Sequence, residues 1–466
     1  MGQLHKIRDP VHNFVHLRDK EMKLVDTPVF QRLRGIRQLA MANLVYPGAL
    51  HTRFDHSLGV CHVAGMMGSE LGILSDDVDL VRLAALLHDI GHGPFSHVSE
   101  NSLQRFTDTE KLPPGQEKAK IHELVTAQVI LHDPNIQEIL AFQDREKITT
   151  LLADGYGDPV LKSIVSGPLD ADKQDYLLRD SKFAGVTYGL YDIHQLHRSL
   201  KVCDGESGRE LRIAENGVVA VEQFVMAKYY MFANVYRHKV RLITDQMITR
   251  AIALGIEVDQ IHELNALYRY EAGDSFIKNY MQWNDARLLL ELGSSDYDGK
   301  LCHQLVCRLR DRRLLKRVFR EQIRLLPEGS REPLTEMFNP KIQNSEEIAK
   351  LEKDLAEVIV DVIKEDVDPR FVIAHSYTVK LDSQSAINDG ANILVDARPT
   401  ARDFETVSAL FQALSKGFNE RFLEVYAPVT WPDPVKKKSI LAEMDAKIRE
   451  RLHRAFDTTQ AQGITA

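Results

Sequence analysis

Residues 81–97 read VRLAALLHDIGHGPFSH. Apolar residues recur there at helical spacing, which predicts an amphipathic helix with one face turned into a core. His88 and Asp89 stand at the C-terminal end of that helix, and the pair Gly93-Pro94 forces a turn behind them. The helix therefore presents an imidazole and a carboxylate at the mouth of a loop, a donor set that suits iron, manganese or zinc better than calcium.

The His-Asp pair by itself is equally well explained as the capped end of a helix. Two other stretches favour a site: HTRFDH at residues 51–56, and LDADKQDY at residues 169–176. Several aspartates fall in or near the second stretch, and helical periodicity alone does not select one of them as a ligand.

Five motifs in one order carry a resemblance to a known family. They are DTPVFQRLRGIRQL (26–39), HTRFDHSLGV (51–60), LLHDIGHGPFSH (86–97), LDADKQDYLLRD (169–180) and YRHKV (236–240). With them the sequence resembles the HD phosphohydrolase superfamily and, within it, the deoxynucleoside triphosphate triphosphohydrolases (dNTPases) that are similar to the human SAM-and-HD-domain enzyme. The resemblance covers the first half to two-thirds of the chain. We expect no counterpart of the SAM domain in this sequence.

The resemblance implies one divalent metal ion per active site, held by His56, His88, Asp89 and Asp172. These ligand types do not distinguish manganese, iron, magnesium and zinc, and further magnesium can accompany bound nucleotides. We expect His97 to act as general acid for the departing 5'-oxygen, with Glu100 one helical turn on to orient it. The full set expected to act in catalysis is His97, Glu100, His122, Arg53 and His92.

A second implied set binds the substrate. The planar guanidinium of Arg53 suits two phosphate oxygens at once, and by resemblance Lys173 contacts phosphate, Asp180 the 3'-hydroxyl, and Tyr236 the underside of the deoxyribose. Lys228 and Arg237 depart from the arginine and glutamine of the best-studied member. The set comprises Gln38, Leu39, Arg53, Lys173, Tyr176, Asp180, Lys228, Tyr236 and Arg237.

A third implied set forms a regulatory nucleotide site between subunits of a homo-oligomer, either dimer, tetramer or hexamer. A carboxylate can accept from N1 and N2 of guanine, and an arginine can donate to O6 and N7. The same side chains also fit a solvated helix face. The residues are Asp26, Gln31, Arg34, Val45, Tyr46, Arg312, His238 and Lys239, and the expected effector is GTP or a dNTP.

Composition limits the function classes. The formal net charge of -8 does not attract polyanions, so single-stranded nucleic acid would need a local basic patch, for which residues 308–324 are the candidate. Four cysteines without a CxxC pair argue against a disulfide scaffold and a thiolate zinc site. With no signal peptide or membrane-length apolar run, we expect a soluble, cytoplasmic protein.

The expected fold is mainly α: a helical HD core with a β-ribbon over residues 200–220 and a smaller C-terminal α+β region. We expect a core domain at 1–325, an α+β region at 326–456 and a disordered tail at 457–466. A loop is expected at 107–120 and strands at 1–20, 371–381 and 391–397, with another at 422–425. Helices are expected near 54–71, 147–153, 159–182, 221–254, 308–324, 345–364, 401–418 and 438–456.

The predicted reaction is metal-dependent hydrolysis of a dNTP to deoxynucleoside and triphosphate, activated by nucleotide-driven oligomerisation. Another HD phosphohydrolase activity is the alternative: a nucleoside monophosphate phosphatase, a cyclic-nucleotide phosphodiesterase or a 3' nuclease. A non-catalytic nucleotide or single-stranded DNA sensor is the third hypothesis, and a complete metal ligand set argues against it.

Overall fold

The computed structural model of the chain describes most of its residues. The described ranges are 4–108, 110, 112, 120–153, 157–205, 208–339, 345–380, 393–397, 400–414, 419–431 and 433–456. The expected tail at 457–466 and most of the expected loop at 107–120 lie outside them. Among the described helices, none is long and apolar enough to cross a lipid bilayer.

Helices dominate the chain, as the sequence predicted, and the expected fold class is confirmed. In chain order they are α1 Asp19–Val25, α2 Pro28–Gln31, α3 Arg53–Glu70, α4 Ser75–Leu87, α5 His97–Phe106, α6 Ile121–His132, α7 Pro134–Ile139, α8 Phe142–Leu152, α9 Pro159–Val165, α10 Ala171–Ala184, α11 Ile193–Ser199, α12 Val218–Met231, α13 Lys239–Glu257, α14 His262–Tyr268, α15 Asp274–Tyr280, α16 Asp285–Leu292, α17 Leu301–Arg310, α18 Glu328–Met337, α19 Ser345–Ile363, α20 Phe404–Val407, α21 Ala409–Leu414 and α22 Pro434–Phe456.

The described strands form three small sheets. Strands β1 and β2 pair antiparallel, β3-β4-β7-β8 form a mixed sheet in which β4 and β7 are parallel, and β5-β9-β6 form an antiparallel sheet. The bounds are β1 His5–Asp9, β2 Asn13–Leu17, β3 Leu200–Gly205, β4 Gly208–Ala214, β5 Lys316–Gln322, β6 Ile373–Lys380, β7 Leu394–Asp396, β8 Arg402–Asp403 and β9 Asn419–Ala427.

The chain divides into two compact units. The first comprises Met1–Arg241, Ile252–His303 and Leu381–Gly417, and the second Leu242–Ala251, Gln304–Lys380 and Phe418–Ala466. Each unit is built from separate stretches of sequence. The boundaries predicted at residues 325 and 456 stay predictions.

Helices α3, α4 and α10 pack together in the first unit and carry the HD motifs. α3 begins where Asp55 accepts the backbone N–H of Thr52 at 2.8 Å, and its Val60 and Ala64 are buried. α10 begins where the Asp170 carboxylate accepts the N–H of Lys173, also at 2.8 Å. Both caps satisfy backbone donors that the first helical turn leaves without partners, so these helix starts are fixed by local chemistry.

The second unit has its own apolar core. Strands β5, β9 and β6 present Val318, Val425 and Ala374 to helices α18, α19 and α22, and Leu355 and Ile448 are fully buried among them. Burial of such side chains stabilises a sheet-and-helix layer by roughly 1.5–3 kcal/mol each.

Several predicted helices were wrong in their bounds. The helix expected over 159–182 is two helices, because Gly167 and Pro168 interrupt it before Asp170 caps α10. The helix expected over 221–254 breaks after a π-helical turn at Phe232–Tyr236, and α13 starts anew at Lys239.

The basic run 308–324 is also not one helix. α17 ends at Arg310, Arg312 adopts a left-handed φ of 55°, and residues 316–322 form strand β5. Of the helix expected over 401–418, residues 415–418 lie outside the described residues, and the described part contains the two short helices α20 and α21.

Candidate metal centre

Three side chains from three helices meet in the first unit. His56 lies in the first turn of α3, His88 caps the end of α4, and Asp172 lies in the first turn of α10. One ligand atom from each lies within 4.8 Å of the others. The Nε2 atoms of His56 and His88 are 2.9 and 3.8 Å from Oδ1 of Asp172. Residues distant in sequence therefore form one cluster that could hold a divalent metal ion.

Both imidazoles are oriented through their other nitrogen. Nδ1 of His56 contacts Oδ2 of Asp175 at 2.9 Å, and Nδ1 of His88 donates to the carbonyl of Ala85 at 2.8 Å. Each Nε2 is thereby left to face Asp172. The Nε2 atom of His88 is buried and makes no well-aligned hydrogen bond among the described residues, although Oδ1 of Asp89 lies 3.2 Å from it. A buried lone pair beside a carboxylate fits a cation, because native proteins rarely leave such an atom unsatisfied.

The surrounding charge also favours a cation. Burial opposes protonation of His56, but its hydrogen bonds to Asp172 and Asp175 outweigh burial and raise its pKa to about 10. The pKa of His88 is raised as well, since Asp89 and Asp172 outweigh burial there. Positive charge is therefore stabilised at this point, whether a proton or a metal ion carries it.

Asp89 lies beside the three-residue cluster. Its Oδ1 is 3.2 Å from Nε2 of His88. Its Oδ2 is 3.7 Å from Nε2 of His56 and also contacts Nη1 of Arg53. Burial would raise the pKa of this carboxyl, but Arg53 and His88 hold it well below its usual range. Asp89 is thus an ionised neighbour of the cluster, and its role as fourth ligand stays a prediction.

Arg53 is buried at the centre of a polar network. Besides Asp89, its guanidinium contacts Oγ of Ser96 at 2.8 Å and Nε2 of His97 at 3.3 Å. Because arginine can only donate, His97 accepts through Nε2, and a neutral His97 ring carries its proton on Nδ1. The guanidinium binds a carboxylate here, while its predicted contact with substrate phosphate stays a prediction.

Three more of the predicted catalytic residues adjoin this network. The rings of His92 and His122 stack with centroids 4.0 Å apart, and Nδ1 of His122 lies 2.8 Å from Oε2 of Glu100. Nε2 of His92 is 3.3 Å from Oδ1 of Asp89. Burial and the charge of Arg53 lower the pKa of His92 well below its usual range, so this ring is neutral.

His97 keeps an accessible edge at the start of α5. The packed protein around the ring and the adjacent Arg53 charge nevertheless lower its pKa to about 3. At neutral pH the ring is therefore an uncharged imidazole.

A second polar group lies further along α10. Asp180 is buried and accepts hydrogen bonds from Nε2 of His51 at 2.7 Å and from the hydroxyl of Tyr236 at 2.5 Å. The ring of Tyr176 lies edge-on to Tyr236 with centroids 6.3 Å apart. Asp172, Tyr176 and Asp180 share one helix at spacings of four residues, so the metal cluster and this group lie along one helix face.

The other predicted substrate residues are less clearly placed. The Lys173 ammonium contacts Oδ2 of Asp170 at 2.5 Å and the carbonyl of Gly167 at 3.0 Å. Gln38 and Leu39 are buried, and Lys228 is buried with its ammonium 5.9 Å from the Phe232 ring. Arg237 follows the π-helical turn and is half-buried.

Seven of the predicted regulatory residues lie in the first unit, and the eighth lies in the second. Arg34 donates to Oε1 of Gln31 at 2.8 Å, and its guanidinium lies 3.5 Å from the Phe54 ring. Asp26 and Lys239 are exposed, Val45 is half-buried, and the Tyr46 and His238 rings are 5.7 Å apart. Arg312 belongs to the second unit.

Comparison with known families agrees with this geometry. Residues 53–155 match the HD domain, and residues 191–454, more than half of the chain, match the HD associated region. The chain belongs to the HD-domain family. HD domains depend on a metal ion, and the cluster of His56, His88 and Asp172 is where this chain could hold one.

Three similar proteins illustrate the relationship. An uncharacterized protein of Methanocaldococcus jannaschii is 36% identical over 251 residues, which is 54% of this chain and 50% of that protein. The deoxynucleoside triphosphate triphosphohydrolase SAMHD1 of Homo sapiens is 27% identical over 352 residues, 67% of this chain and 54% of that enzyme. The chain thus spans about half the length of these relatives. A crystal structure of a hypothetical protein from Aquifex aeolicus matches with a TM-score of 0.68 and 26% identity, covering 95% of this chain and 100% of that one.

Two contributors to this HD site were not identified from the sequence. Asp175 orients His56 and also accepts two hydrogen bonds from Arg179, at 2.8 and 2.9 Å, while His51 orients Asp180. Asp175 stands in the quoted LDADKQDY stretch, three residues after Asp172, so the available signal was its helical spacing from a ligand.

We expect Asp175→Asn to weaken metal binding by about 10- to 100-fold, because an amide cannot support the His56 imidazole as a carboxylate does. Competition with a chelating dye measures the effect. His12→Ala is the control, since His12 contacts Oδ1 of Asp175 at 2.7 Å without touching His56. Equal loss in both variants would mean that the whole network, and not the contact with His56, determines the affinity.

Asp285 holds the loop that follows the HD motif. Its carboxylate accepts the backbone N–H of Phe95 at 2.6 Å and that of Arg37 at 3.0 Å. Phe95 and Ser96 both have left-handed φ values, 60° and 55°, which are costly for residues with side chains. The buried carboxylate therefore stabilises a strained loop that presents Ser96 to the metal-centre network.

The stability of the protein should depend on pH through Asp285. Burial raises its pKa from 3.8 to about 6 in the folded chain. Between these values only the folded state holds the proton, so raising the pH through the window removes at most about 3 kcal/mol of stability. We expect the wild type to exceed Asp285→Asn in free energy of unfolding, measured with urea, by more at pH 4 than at pH 7. An advantage that grows with pH would show that the folded pKa is depressed instead.

Proposed function

We propose that this chain hydrolyses deoxynucleoside triphosphates to deoxynucleoside and triphosphate. The oxygen of water forms a bond to the α-phosphorus, and the bond from that phosphorus to the 5'-oxygen breaks. One proton of the water passes to the 5'-oxygen, which leaves as the hydroxyl of the deoxynucleoside.

One observation carries the proposal: Asp172 of the metal cluster and Asp180, which accepts a hydrogen bond from Tyr236, lie on the same face of α10. Asp172 and Asp180 are eight residues apart, which is about 12 Å along the helix axis, a span longer than a phosphate group alone fills. A ligand with phosphate at one end and a hydroxylated ring at the other suits this arrangement. The similar human protein is a deoxynucleoside triphosphate triphosphohydrolase, which supports the same substrate class.

The side chains at the site have two roles, holding the metal ion and supplying a fixed positive charge beside it. His56, His88 and Asp172, with Asp89 beside them, would hold the divalent ion, which when bound supplies an activated water and offsets charge on phosphate oxygens. Arg53 keeps a fixed positive charge next to this point, and phosphoryl transfer depends largely on such preorganised charge.

His97 is the group we propose for proton delivery. It is neutral in the free protein, with its proton on Nδ1, because Arg53 donates to Nε2. A polyphosphate nearby would offset the Arg53 charge and raise the pKa of the ring, since opposite charge favours protonation. His97 then provides a proton for the 5'-oxygen, and the His122–Glu100 pair is a second acid within the same network.

Product analysis tests the proposal. The purified chain is incubated with each dNTP and manganese or magnesium in water enriched in ¹⁸O, with and without GTP. Phosphorus NMR should show triphosphate that carries one ¹⁸O atom, and proton NMR should show free deoxynucleoside. Release of pyrophosphate or of single phosphate would overturn the α-phosphorus assignment and favour another HD phosphohydrolase activity.

We also propose that a guanine nucleotide or dNTP assembles the chain into an active homo-oligomer. Arg34 is exposed, stacks on Phe54 and contacts Gln31, and Asp26 is exposed as well. A guanidinium and a carboxylate are the groups that can read a guanine edge. Sedimentation velocity should show a larger species with GTP for the wild type and for Arg269→Ala, but not for Arg34→Ala. The absence of any GTP effect on the wild type would contradict this proposal.

A further inference from the structure

A second cluster of cationic and imidazole side chains lies away from the metal centre. A cavity of about 460 Å³ in the first unit is lined by four histidines and two arginines, and Glu70 is the one acidic residue on its wall. Cavities of roughly 300–1,000 Å³ are the usual size for small-molecule sites. The six basic or imidazole-bearing residues are His16, His62, Arg82, His194, His197 and Arg198.

Four structural elements converge on this cavity. His16 comes from β2, His62 from α3, Arg82 from α4, and the other three from α11. His62 follows His56 by six residues on α3, which turns its side chain by roughly 240° about the helix axis. None of the lining residues belongs to the metal-centre network, so this is a separate site.

The cavity wall is partly rigid. Arg82 donates to both carboxylate oxygens of Glu21 at 2.7 Å and to the carbonyl of His16, also at 2.7 Å. His197 is buried, and its Nε2 lies 2.6 Å from Oε1 of Gln174. Arg198 and His194 are exposed on α11, and Arg198 forms no ion pair within the described part of the chain. Fixed groups at the back and available groups at the rim are what a binding site requires.

Imidazole groups are crowded here beside two guanidinium groups, of which Arg82 is already paired with Glu21. Burial and then the neighbouring His12, Arg82 and His16 lower the pKa of His62 to about 4. Burial and nearby histidines likewise lower the pKa of His197 to about 4. An anionic ligand would raise the pKa of these rings, because a nearby opposite charge favours the protonated form.

A metal ion does not fit the same cluster. Throughout the described part of the chain, the one group of three ligating side chains with atoms within 4.8 Å of one another is His56, His88 and Asp172. The cavity histidines are therefore too far apart to share an ion, and two guanidinium groups would repel it.

We propose that this cavity binds a small phosphate monoester of nucleotide size. Arg198, His194 and His16 contact the phosphate at the rim, since guanidinium and imidazole groups are donors for phosphate oxygens. Glu70 and Ser69 lie at the same rim and suit hydroxyl groups of the ester, which a bare phosphate ion lacks. The proposal does not depend on the reaction proposed for the metal centre.

Calorimetric titration of the metal-free full chain with dAMP and, separately, with inorganic phosphate tests the proposal. We expect dAMP to bind the wild type and His88→Ala alike, and to bind Arg198→Glu at least about tenfold more weakly. Arg269→Glu is the matched control, because Arg269 is an exposed arginine outside the cavity and should leave affinity unchanged. His194→Ala provides a second variant at the rim and should also weaken binding.

The two probes separate two sources of the same chemistry. Tighter binding of dAMP than of phosphate assigns an ester, while equal affinities assign inorganic phosphate and overturn the ester. Unchanged affinity in both Arg198→Glu and His194→Ala would overturn the site itself. Loss of binding in His88→Ala would place the ligand at the metal centre, and no binding of either probe to the wild type would also overturn the proposal.

Discussion

Replacing His88 with alanine is expected to lower kcat/KM for dNTP hydrolysis by about 10³-fold or more. The variant removes a buried Nε2 atom that lies 3.8 Å from Oδ1 of Asp172 and 3.2 Å from Oδ1 of Asp89. A metal ion supplies several kcal/mol of transition-state stabilisation, and about 4 kcal/mol corresponds to this factor. Initial rates of triphosphate release at saturating manganese measure the effect.

His132→Ala is the matched control for this variant. His132 is an exposed histidine at the end of α6, so its loss should leave the rate within about twofold of the wild type. If His88→Ala kept a rate within tenfold of the wild type while remaining folded, the cluster would not be the reaction centre.

The second large effect is expected on stability. Arg179 is fully buried and donates to Asp9 at 2.8 Å and to both oxygens of Asp175 at 2.8 and 2.9 Å. Arg179→Ala leaves two buried carboxylates without their cation, which should lower the free energy of unfolding by about 3–5 kcal/mol. Urea unfolding followed by circular dichroism measures the loss. Because Asp175 also holds His56, the variant should bind metal more weakly as well.

An exposed ion pair gives the control for Arg179. Arg209 on β4 pairs with Asp158, and both side chains are partly accessible to solvent. Arg209→Ala should change the free energy of unfolding by less than about 1 kcal/mol, because solvent screens surface ion pairs. Similar losses in the two variants would contradict the view that burial makes the Arg179 network costly to break.

The parts of the fold that the sequence predicted well are those with local chemical causes. α3 and α4 lie close to their expected positions because apolar periodicity and the cap at Thr52 act over a few residues. The break at Gly167-Pro168 also had a local signal, since that dipeptide favours a turn. The break between Tyr236 and Lys239 has no proline or glycine, so tertiary packing sets it.

In the candidate site, too, some features could be predicted from the sequence and others depend on tertiary packing. The resemblance to the HD family selected His56, His88 and Asp172 among many candidates, and the structure brings these three side chains together. Spacing could not show that Asp89 pairs with Arg53, or that Lys173 turns to Asp170. Such contacts depend on how separate helices pack, which no short stretch of sequence encodes.

Anomalous X-ray diffraction from crystals soaked in manganese tests the central claim most directly. We predict one strong peak per chain within coordination distance of Nε2 of His56, Nε2 of His88 and a carboxylate oxygen of Asp172. A peak elsewhere in the chain, or none between these three atoms at saturating manganese, would contradict the account.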